Sequence, residues 1–215
     1  MQLNEKLLME SVKNATETTY LTHNYHPFPA KFIPHIPQIL IQQYSERGDT
    51  VFDPFCGSGT TLVEATLLGR KSIGTDINPI SVLASKVKTT SLSSEEIEVI
   101  ETCISALEES NPKADYSRHI PDFHGRDHWF MPHVQNELAM LRSTITNLTE
   151  PESSTRLFLD LAFSSIVNLV SNQDSDTRYA AVEKDVPVGK PTKLMIQRTT
   201  TMLARMKDFV TKAED

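Results

Sequence analysis

The stretch DPFCGSGTT at residues 53–61 constrains the fold of this chain more than any other part of its 215 residues. The residues before it, DTVFD at 49–53, have the pattern of a short buried strand, and residues 60–68 have that of an apolar helix ending at Gly69. A second strand, KSIGT, is predicted at 71–75. Strand, helix and strand at this spacing predict a βαβ unit, and therefore a parallel sheet with a right-handed crossover.

Outside this unit the sequence predicts mainly helices. The four prolines between residues 23 and 37 argue against a helix or a central strand there, and a helix at 38–47 is predicted to end at Gly48. No second half of the sheet is recognisable after residue 90. The predicted fold class is therefore α/β, with a partial parallel sheet and a largely helical C-terminal extension. Further helices are predicted within 1–22 and at 80–87, 94–109, 133–148, 153–171 and 192–213.

Composition and charge narrow the setting of the protein but not its chemistry. The formal net charge of −7 argues against a chain that coats nucleic acid through its overall field, although a local basic groove is compatible with it. No apolar run approaches the length of a membrane span, the N-terminus lacks a signal-peptide pattern, and the two cysteines form no disulfide framework. These features predict a soluble cytoplasmic protein without a membrane partner. The seven histidines lack the spacing of a zinc site, so no metal is predicted.

The loop after the first predicted strand has the features of a ligand site, because open α/β sheets bind ligands at the carboxyl ends of their strands. Gly57 and Gly59 allow a sharp turn and a close approach, and the N–H groups at the start of the next helix suit a carboxylate or a phosphate. Asp53 can accept from an ammonium group, and Asp76, after the second strand, from ribose hydroxyls. S-adenosylmethionine, an amino acid at one end and a ribose at the other, meets all of these demands.

Other interpretations of the loop are weaker. A P-loop requires a lysine after its second glycine, and here Gly59 is followed by Thr60. A dinucleotide-binding loop requires a third glycine, which is missing. A purely structural glycine turn stays open, but the combination of Asp-Pro-Phe, two glycines and the distal Asp76 makes it the minor alternative.

Three segments together resemble one enzyme family. DPFCGSGTT is similar to motif I, the cofactor-binding motif of the DNA amino-methyltransferases, which methylate N6 of adenine or N4 of cytosine. GTDINP at 74–79 resembles their motif II, and HPFPAKFIPHIP at 26–37 resembles motif X, which packs beside motif I in that family. SNQDSDTRYAAVEK at 171–184 also has the look of a segment from this family, without an assignable role.

The resemblance implies a Rossmann-like methyltransferase fold with S-adenosylmethionine as its cofactor. It divides the chain into an N-terminal segment 1–22, a cofactor-binding α/β region 23–92 and a helical extension 93–215. Lys31 is expected to serve the cofactor carboxylate or a DNA phosphate, and Cys56 is interpreted as a small packing residue. The cofactor-binding residues that the resemblance implies are His26, Pro27, Phe28, Pro29, Ala30, Lys31, Phe32, Asp53, Pro54, Phe55, Cys56, Gly57, Ser58, Gly59, Thr60, Thr61, Asp76, Ile77 and Asn78.

One motif of the family is not found in this sequence. Amino-methyltransferases hold the target amine with Ser/Asp/Asn-Pro-Pro-Tyr/Phe, motif IV, whose aromatic ring stacks on the flipped base. The chain contains no Pro-Pro pair, so no catalytic residue is predicted in it. We therefore expect the cofactor half of a split DNA methyltransferase, of a restriction-modification system. A second protein chain, or self-association, would cover the edge and the apolar face that a half sheet exposes.

Three alternatives to the split enzyme stay open. The chain could be a truncated or degenerate methyltransferase, an inactive cofactor-binding or regulatory module of a defence complex, or half of an RNA methyltransferase. A neighbouring reading frame that carries motif IV would favour the split enzyme. The apolar helices at 153–170 and 194–210 are the candidate partner surfaces, with an ordinary core as the alternative for each.

Overall fold

The computed structural model describes residues 5–29, 31, 33–174, 178 and 180–214. The chain forms two compact units, Met1–Ser91 with Ala204–Asp215, and Leu92–Leu203. Some residues singled out from the sequence lie outside the described residues: Ala30 and Phe32 of the predicted site, and residues 175–177 and 179 of the segment 171–184.

The first unit is built on two parallel strands. β1 (Thr50–Asp53) pairs with β2 (Lys71–Gly74), with Thr50 opposite Lys71 and Asp53 opposite Gly74. A helix connects the two strands, so both end at the same edge of the sheet, as the predicted βαβ unit requires. The helices of this unit are α1 (Glu5–Asn14), α2 (His35–Tyr44), α3 (Thr60–Leu67) and α4 (Pro79–Thr89), with a 3-10 helix at Leu21–Asn24.

The chain after residue 92 is helical over most of its length. Its first helix is fixed by a capping box, in which Ser93 and Glu96 each bind the other's backbone N–H group. Among the described residues, an isolated bridge between Gln173 and Ala181 is the one β pairing outside β1 and β2. The predicted fold class, a partial parallel sheet with a largely helical extension, is confirmed. The helices are α5 (Ser94–Glu108), α6 (Arg126–Trp129), α7 (Pro132–Leu148), α8 (Ser154–Val167) and α9 (Lys190–Glu214), with 3-10 turns at Ser117–His119 and Asn168–Val170.

The start of α2 corrects one expectation. The prolines between residues 23 and 37 were expected to exclude a helix, yet α2 begins at His35, with Pro34 as its N-cap and Pro37 in its first turn. A proline is tolerated in the first turn because the N–H groups there have no intrahelical acceptor. Pro34 and Pro37 are therefore compatible with the start of α2.

The sheet leaves one apolar pair open to solvent. Phe52 and Ile73 lie opposite each other across the two strands, and their side chains are 59% and 55% exposed. Their strand neighbours Val51 and Ser72, which point to the other face, are half-buried. Parallel sheets are normally covered on both faces, so this face is unusual for its type.

The apolar residues of α8 and α9 belong to the core rather than to a free surface. Phe158, Leu161 and Ile166 of α8 are buried, as are Met202 and Phe209 of α9. Of the two interpretations left open by the sequence, the structure supports the ordinary core for these residues rather than a partner surface. Their apolar spacing reflects packing within the chain.

The described part of the chain offers neither a membrane-spanning helix nor a cluster of metal ligands. None of its helices is long and apolar enough to cross a membrane. Within the same residues, no group of three or more His, Cys, Asp or Glu side chains is arranged to hold a metal ion.

Candidate functional site

The predicted ligand loop leaves β1 at its carboxyl end and turns directly into α3. The loop is held against the end of β2, because Cys56 donates its N–H to the Thr75 carbonyl at 3.0 Å and the Thr75 hydroxyl donates to the Pro54 carbonyl at 2.9 Å. Gly59 is the N-cap of α3, and its N–H donates to the Cys56 carbonyl at 2.8 Å. The loop is therefore a closed turn at the sheet edge where α/β folds bind ligands.

Both glycines of the loop are required by its geometry. Gly57 and Gly59 have φ values of +50° and +82°, a region that side chains rarely adopt. A Cβ on Gly59 would lie 2.9 Å from the Cα of Ser85 in α4, so only glycine allows this close packing of loop and helix. A Cβ on Gly57 would lie 3.5 Å from the ring of Phe28. Phe28 of the proline-rich segment thus lies beside the loop.

Two carboxylates stand at the ends of the adjacent strands. Asp76 accepts from the N–H of Asn78 at 2.8 Å and, through its other oxygen, from the N–H of Gly57 at 2.9 Å. These two backbone hydrogen bonds lower the pKa of Asp76, so it is ionised at neutral pH. Asp53 accepts from the N–H of Phe55 at 3.1 Å. Each carboxylate keeps unused lone pairs for a ligand.

The predicted residues separate into exposed and buried groups. Phe55 and Ile77 are 86% and 101% exposed, so they are free to contact a ligand or another macromolecule. In contrast, the buried residues pack inside the protein and support the conformation of the loop. Ser58 is buried, and its hydroxyl has no hydrogen-bond partner among the described residues. The exposed members are Pro29, Pro54, Phe55, Ile77 and Asn78; the buried ones are Cys56, Ser58, Gly59 and Thr60; and His26, Pro27, Phe28, Lys31, Asp53, Gly57, Thr61 and Asp76 are intermediate.

Lys31 contacts the chain that precedes the proline-rich segment. Its ammonium donates to the backbone carbonyl of His23 at 3.2 Å, and partial burial lowers its pKa. It therefore braces the segment before it. Nearby, the Nδ1 atom of His26 lies 2.6 Å from the carbonyl oxygen of Pro27, which also stiffens the segment.

A buried polar cluster beside the loop escaped the sequence analysis. The Glu64 carboxylate of α3 is completely buried and accepts from the Tyr20 hydroxyl at 2.6 Å, and the same oxygen lies 2.7 Å from Nε2 of His23. Burial lowers the pKa of His23 more than Glu64 raises it, so we assign a neutral imidazole that donates to the carboxylate. Burial, together with Glu64, raises the pKa of Tyr20. The available signal was one glutamate in the apolar pattern TLVEATLL.

Two residues of α4 were also missed. Ser85 donates to the Gly57 carbonyl at 2.9 Å, and the buried Lys88 donates to the Ser58 carbonyl at 2.7 Å. In the sequence SVLASKVK, the two lysines of α4 are indistinguishable, since nothing local marks one as buried.

The residues present fit S-adenosylmethionine. The first-turn N–H groups of α3, which have no intrahelical acceptor, and the positive end of its dipole suit the carboxylate of the methionine part. Asp53 is placed for an ammonium and Asp76 for ribose hydroxyls, and the orphan hydroxyl of Ser58 is a further polar group. The arrangement offers recognition of an amino acid and a ribose.

Comparisons with known proteins agree with this geometry. Residues 5–86 match the sequence model of a family described as DNA methylase. Type II methyltransferase M.MvaI of Kocuria varians is 38% identical over 168 residues, which are 73% of this chain and 36% of that protein. Type II methyltransferase M.MjaII of Methanocaldococcus jannaschii is 34% identical over 106 residues, 49% of this chain and 19% of that protein.

A third similar protein has a different name. The tRNA (guanine(10)-N2)-dimethyltransferase of Methanocaldococcus jannaschii is 38% identical over 60 residues, 27% of this chain and 16% of that protein. In all three comparisons this chain spans little more than a third of the relative's length, or less. No solved structure matches the chain.

Proposed function

We propose that this chain, whose residues 5–86 match the sequence model of a DNA methylase family, is the S-adenosylmethionine-binding part of a site-specific DNA amino-methyltransferase of a restriction-modification system. One observation carries the proposal. The carboxylates of Asp53 and Asp76 meet a positive-φ glycine loop and the N-terminus of α3 at one edge of a parallel sheet.

Each group has a defined role in this proposal. The cofactor supplies an activated methyl group when it is bound. The first turn of α3 and the loop glycines hold the methionine carboxylate, Asp53 holds the ammonium, and Asp76 holds the ribose hydroxyls. Phe28, which lies against Gly57, covers this end of the site. These residues bind and orient, so that an amine presented in line can attack the methyl carbon without a covalent enzyme intermediate.

The group that presents the amine is proposed to lie on polypeptide outside these 215 residues, in a second chain that carries motif IV. The absence of a Pro-Pro pair and the exposed pair Phe52 and Ile73 support this. The choice of target atom, N6 of adenine or N4 of cytosine, would depend on the second chain. RNA as the substrate is the second candidate, favoured by the similarity to a tRNA methyltransferase over 60 residues.

Calorimetric titration with S-adenosylmethionine tests the site. We expect the wild-type chain to bind, and Asp76→Ala and Gly57→Val to bind at least about tenfold more weakly. The first variant loses an acceptor, and the second places a β-branched side chain at positive φ inside the ligand loop. Two matched controls should bind like the wild type. Asp115→Ala removes a carboxylate that also accepts a backbone N–H, and Gly48→Val replaces another glycine of positive φ, which lies beside open space.

The outcome of this titration is decisive for the site. Circular dichroism would establish that each variant is folded. Undiminished binding by both folded site variants would contradict the assignment of Gly57 and Asp76. Absence of binding by the wild type would contradict the proposed function itself.

A further inference from the structure

The carbonyl oxygens of the glycine loop are held by side chains of α4, one turn apart. The Ser85 hydroxyl donates to the Gly57 carbonyl at 2.9 Å, and the Lys88 ammonium donates to the Ser58 carbonyl at 2.7 Å. Ser85 also forms the surface on which Gly59 packs. Two successive peptide groups of the loop are thus fixed by one helix face.

This fixation determines where the loop N–H groups point. In a trans peptide, the C=O and the N–H that follows it point in opposite directions. Because the Gly57 carbonyl faces α4, the N–H of Ser58 points away from α4. The Ser58 carbonyl likewise orients the N–H of Gly59, which donates to the Cys56 carbonyl and closes the turn. The side of the loop away from α4 therefore presents the N–H of Ser58, and this donor side suits a carboxylate.

The burial of Lys88 is costly in itself. The side chain is completely buried, and its one hydrogen bond among the described residues is to Ser58. A buried ammonium with so little compensation is unfavourable for stability, and replacement by an apolar residue of similar size is often neutral or stabilising. A role in holding the loop explains why a cation stands there.

We propose that Ser85 and Lys88 are positioning residues, which hold the loop 56–59 in its cofactor-binding conformation through its carbonyl oxygens. This inference rests on the proposed function, since it concerns the same site. Neither residue touches the reacting atoms. The positive charge of Lys88 directly behind the loop also favours an anionic group on the donor side.

The surroundings of Lys88 make its effect dependent on pH. Burial, with the nearby charge of Lys31 as a second cause, lowers the pKa of Lys88 to about 7. The other titratable neighbour is His23, which is bound to Glu64 of α3. The ammonium is therefore charged below about pH 7 and neutral above it, and its charge-assisted hydrogen bond to Ser58 weakens as the pH rises.

Titration of S-adenosylmethionine into the full chain and into Lys88→Met tests the inference. We expect Lys88→Met to bind on the order of tenfold more weakly at about pH 6, with a melting temperature equal to or above that of the wild type. The ratio of the wild-type affinity to that of Lys88→Met should decrease towards one as the pH rises to about 9. Titration of the ligand's own amine over this range affects both proteins equally, so it does not change the ratio. Lys86→Met, which replaces an exposed lysine of the same helix, should match the wild type at every pH.

A second variant keeps the inference testable if Lys88→Met fails to fold. Ser85→Ala removes only a hydroxyl, and it should weaken binding several-fold because it frees the Gly57 carbonyl. Binding as tight as wild type in folded Lys88→Met, or in Ser85→Ala, would overturn the inference while leaving the proposed function intact. A wild-type chain that does not bind S-adenosylmethionine would overturn both.

Discussion

At the scale of single residues, the site depends on the missing side chain of glycine as well as on the side chains that are present. Gly59 leaves 2.9 Å between its missing Cβ position and the Cα of Ser85, whereas Gly48 adopts a similar φ with nothing within 4 Å. Comparison of the two glycines therefore distinguishes two reasons why a position can require glycine. At Gly48 only the backbone conformation requires glycine, and at Gly59 the packing of α4 requires it as well.

Alanine substitution should reveal this difference. Gly48→Ala is expected to lower the free energy of unfolding by about 1 kcal/mol, the strain of a side chain at positive φ. Gly59→Ala should lower it by about 3 kcal/mol, because overpacking against a backbone atom is added to the same strain. Urea unfolding of the three proteins measures both values. Equal losses would show that the loop can move away from α4 without cost.

The titration of Lys88 adds a prediction about stability. Its pKa in the folded chain, about 7, lies below its value in an unfolded chain, so between these values the unfolded state binds more protons. Stability should therefore rise as the pH increases from about 7 to about 9. Lys88→Met should lose this rise, whereas Lys86→Met should keep it. Urea unfolding at several pH values gives the slopes, and equal slopes in the wild type and Lys88→Met would contradict the assignment.

At the scale of elements, α3 serves two purposes. Its N-terminus faces the ligand loop, and Glu64 on its buried side anchors the residues that precede the proline-rich segment. Tyr20 and His23, on one short stretch, both bind the same Glu64 oxygen, so the helix fixes the segment that carries Phe28. The stiff, proline-rich segment can hold Phe28 in place because the residues before it are anchored to α3.

Removing one hydroxyl should measure this anchor. Tyr20→Phe leaves the buried carboxylate of Glu64 with one donor fewer, and we expect a loss of about 1–3 kcal/mol in the free energy of unfolding. Tyr44→Phe, at a tyrosine that is 52% exposed, should change it by less than about 0.5 kcal/mol. Chemical denaturation of both variants is the measurement. A loss no larger than that of Tyr44→Phe would mean that the cluster contributes little to the fold.

At the scale of the whole molecule, the notable feature is an apolar sheet face without a cover. Phe52 and Ile73 pair on this face and are more than half exposed. The relatives are much longer than this chain, which spans 36% of M.MvaI. The exposed pair is the observation on which the proposal of a covering second chain with motif IV rests.

Methyl-transfer assays should test that proposal. The purified chain should transfer no methyl group from S-adenosylmethionine to DNA, and addition of a polypeptide that carries motif IV should restore transfer. The double variant Phe52→Asp and Ile73→Asp should abolish the restoration but still bind the cofactor, whereas Leu169→Asp, at an apolar residue that is 43% exposed, should not affect it. Methyl transfer by the lone wild-type chain would refute the split arrangement.

The sequence alone determined the local features of this protein. The βαβ unit, most helix positions and the resemblance to the amino-methyltransferases followed from residues within single segments. The fold class is confirmed, and residues 5–86 match the sequence model of a DNA methylase family. Such features are local because turn glycines, caps and apolar periodicity act over a few residues. The prolines led to a wrong prediction at the start of α2. A proline in the first turn of a helix removes no intrahelical hydrogen bond, so it does not destabilise the helix there. The roles of the individual site residues remain predictions.

Only the tertiary structure showed which distant residues meet. Glu64 lies 41 positions from His23 and 44 from Tyr20, and Lys88 lies 30 positions from Ser58. A polar residue in an apolar helix indicates that a buried partner exists, but it does not identify that partner. Likewise, the sequence does not distinguish Lys86 from Lys88. Burial and partners depend on how α3 and α4 pack, and that packing is settled by the cooperative fit of many side chains, which no single segment encodes.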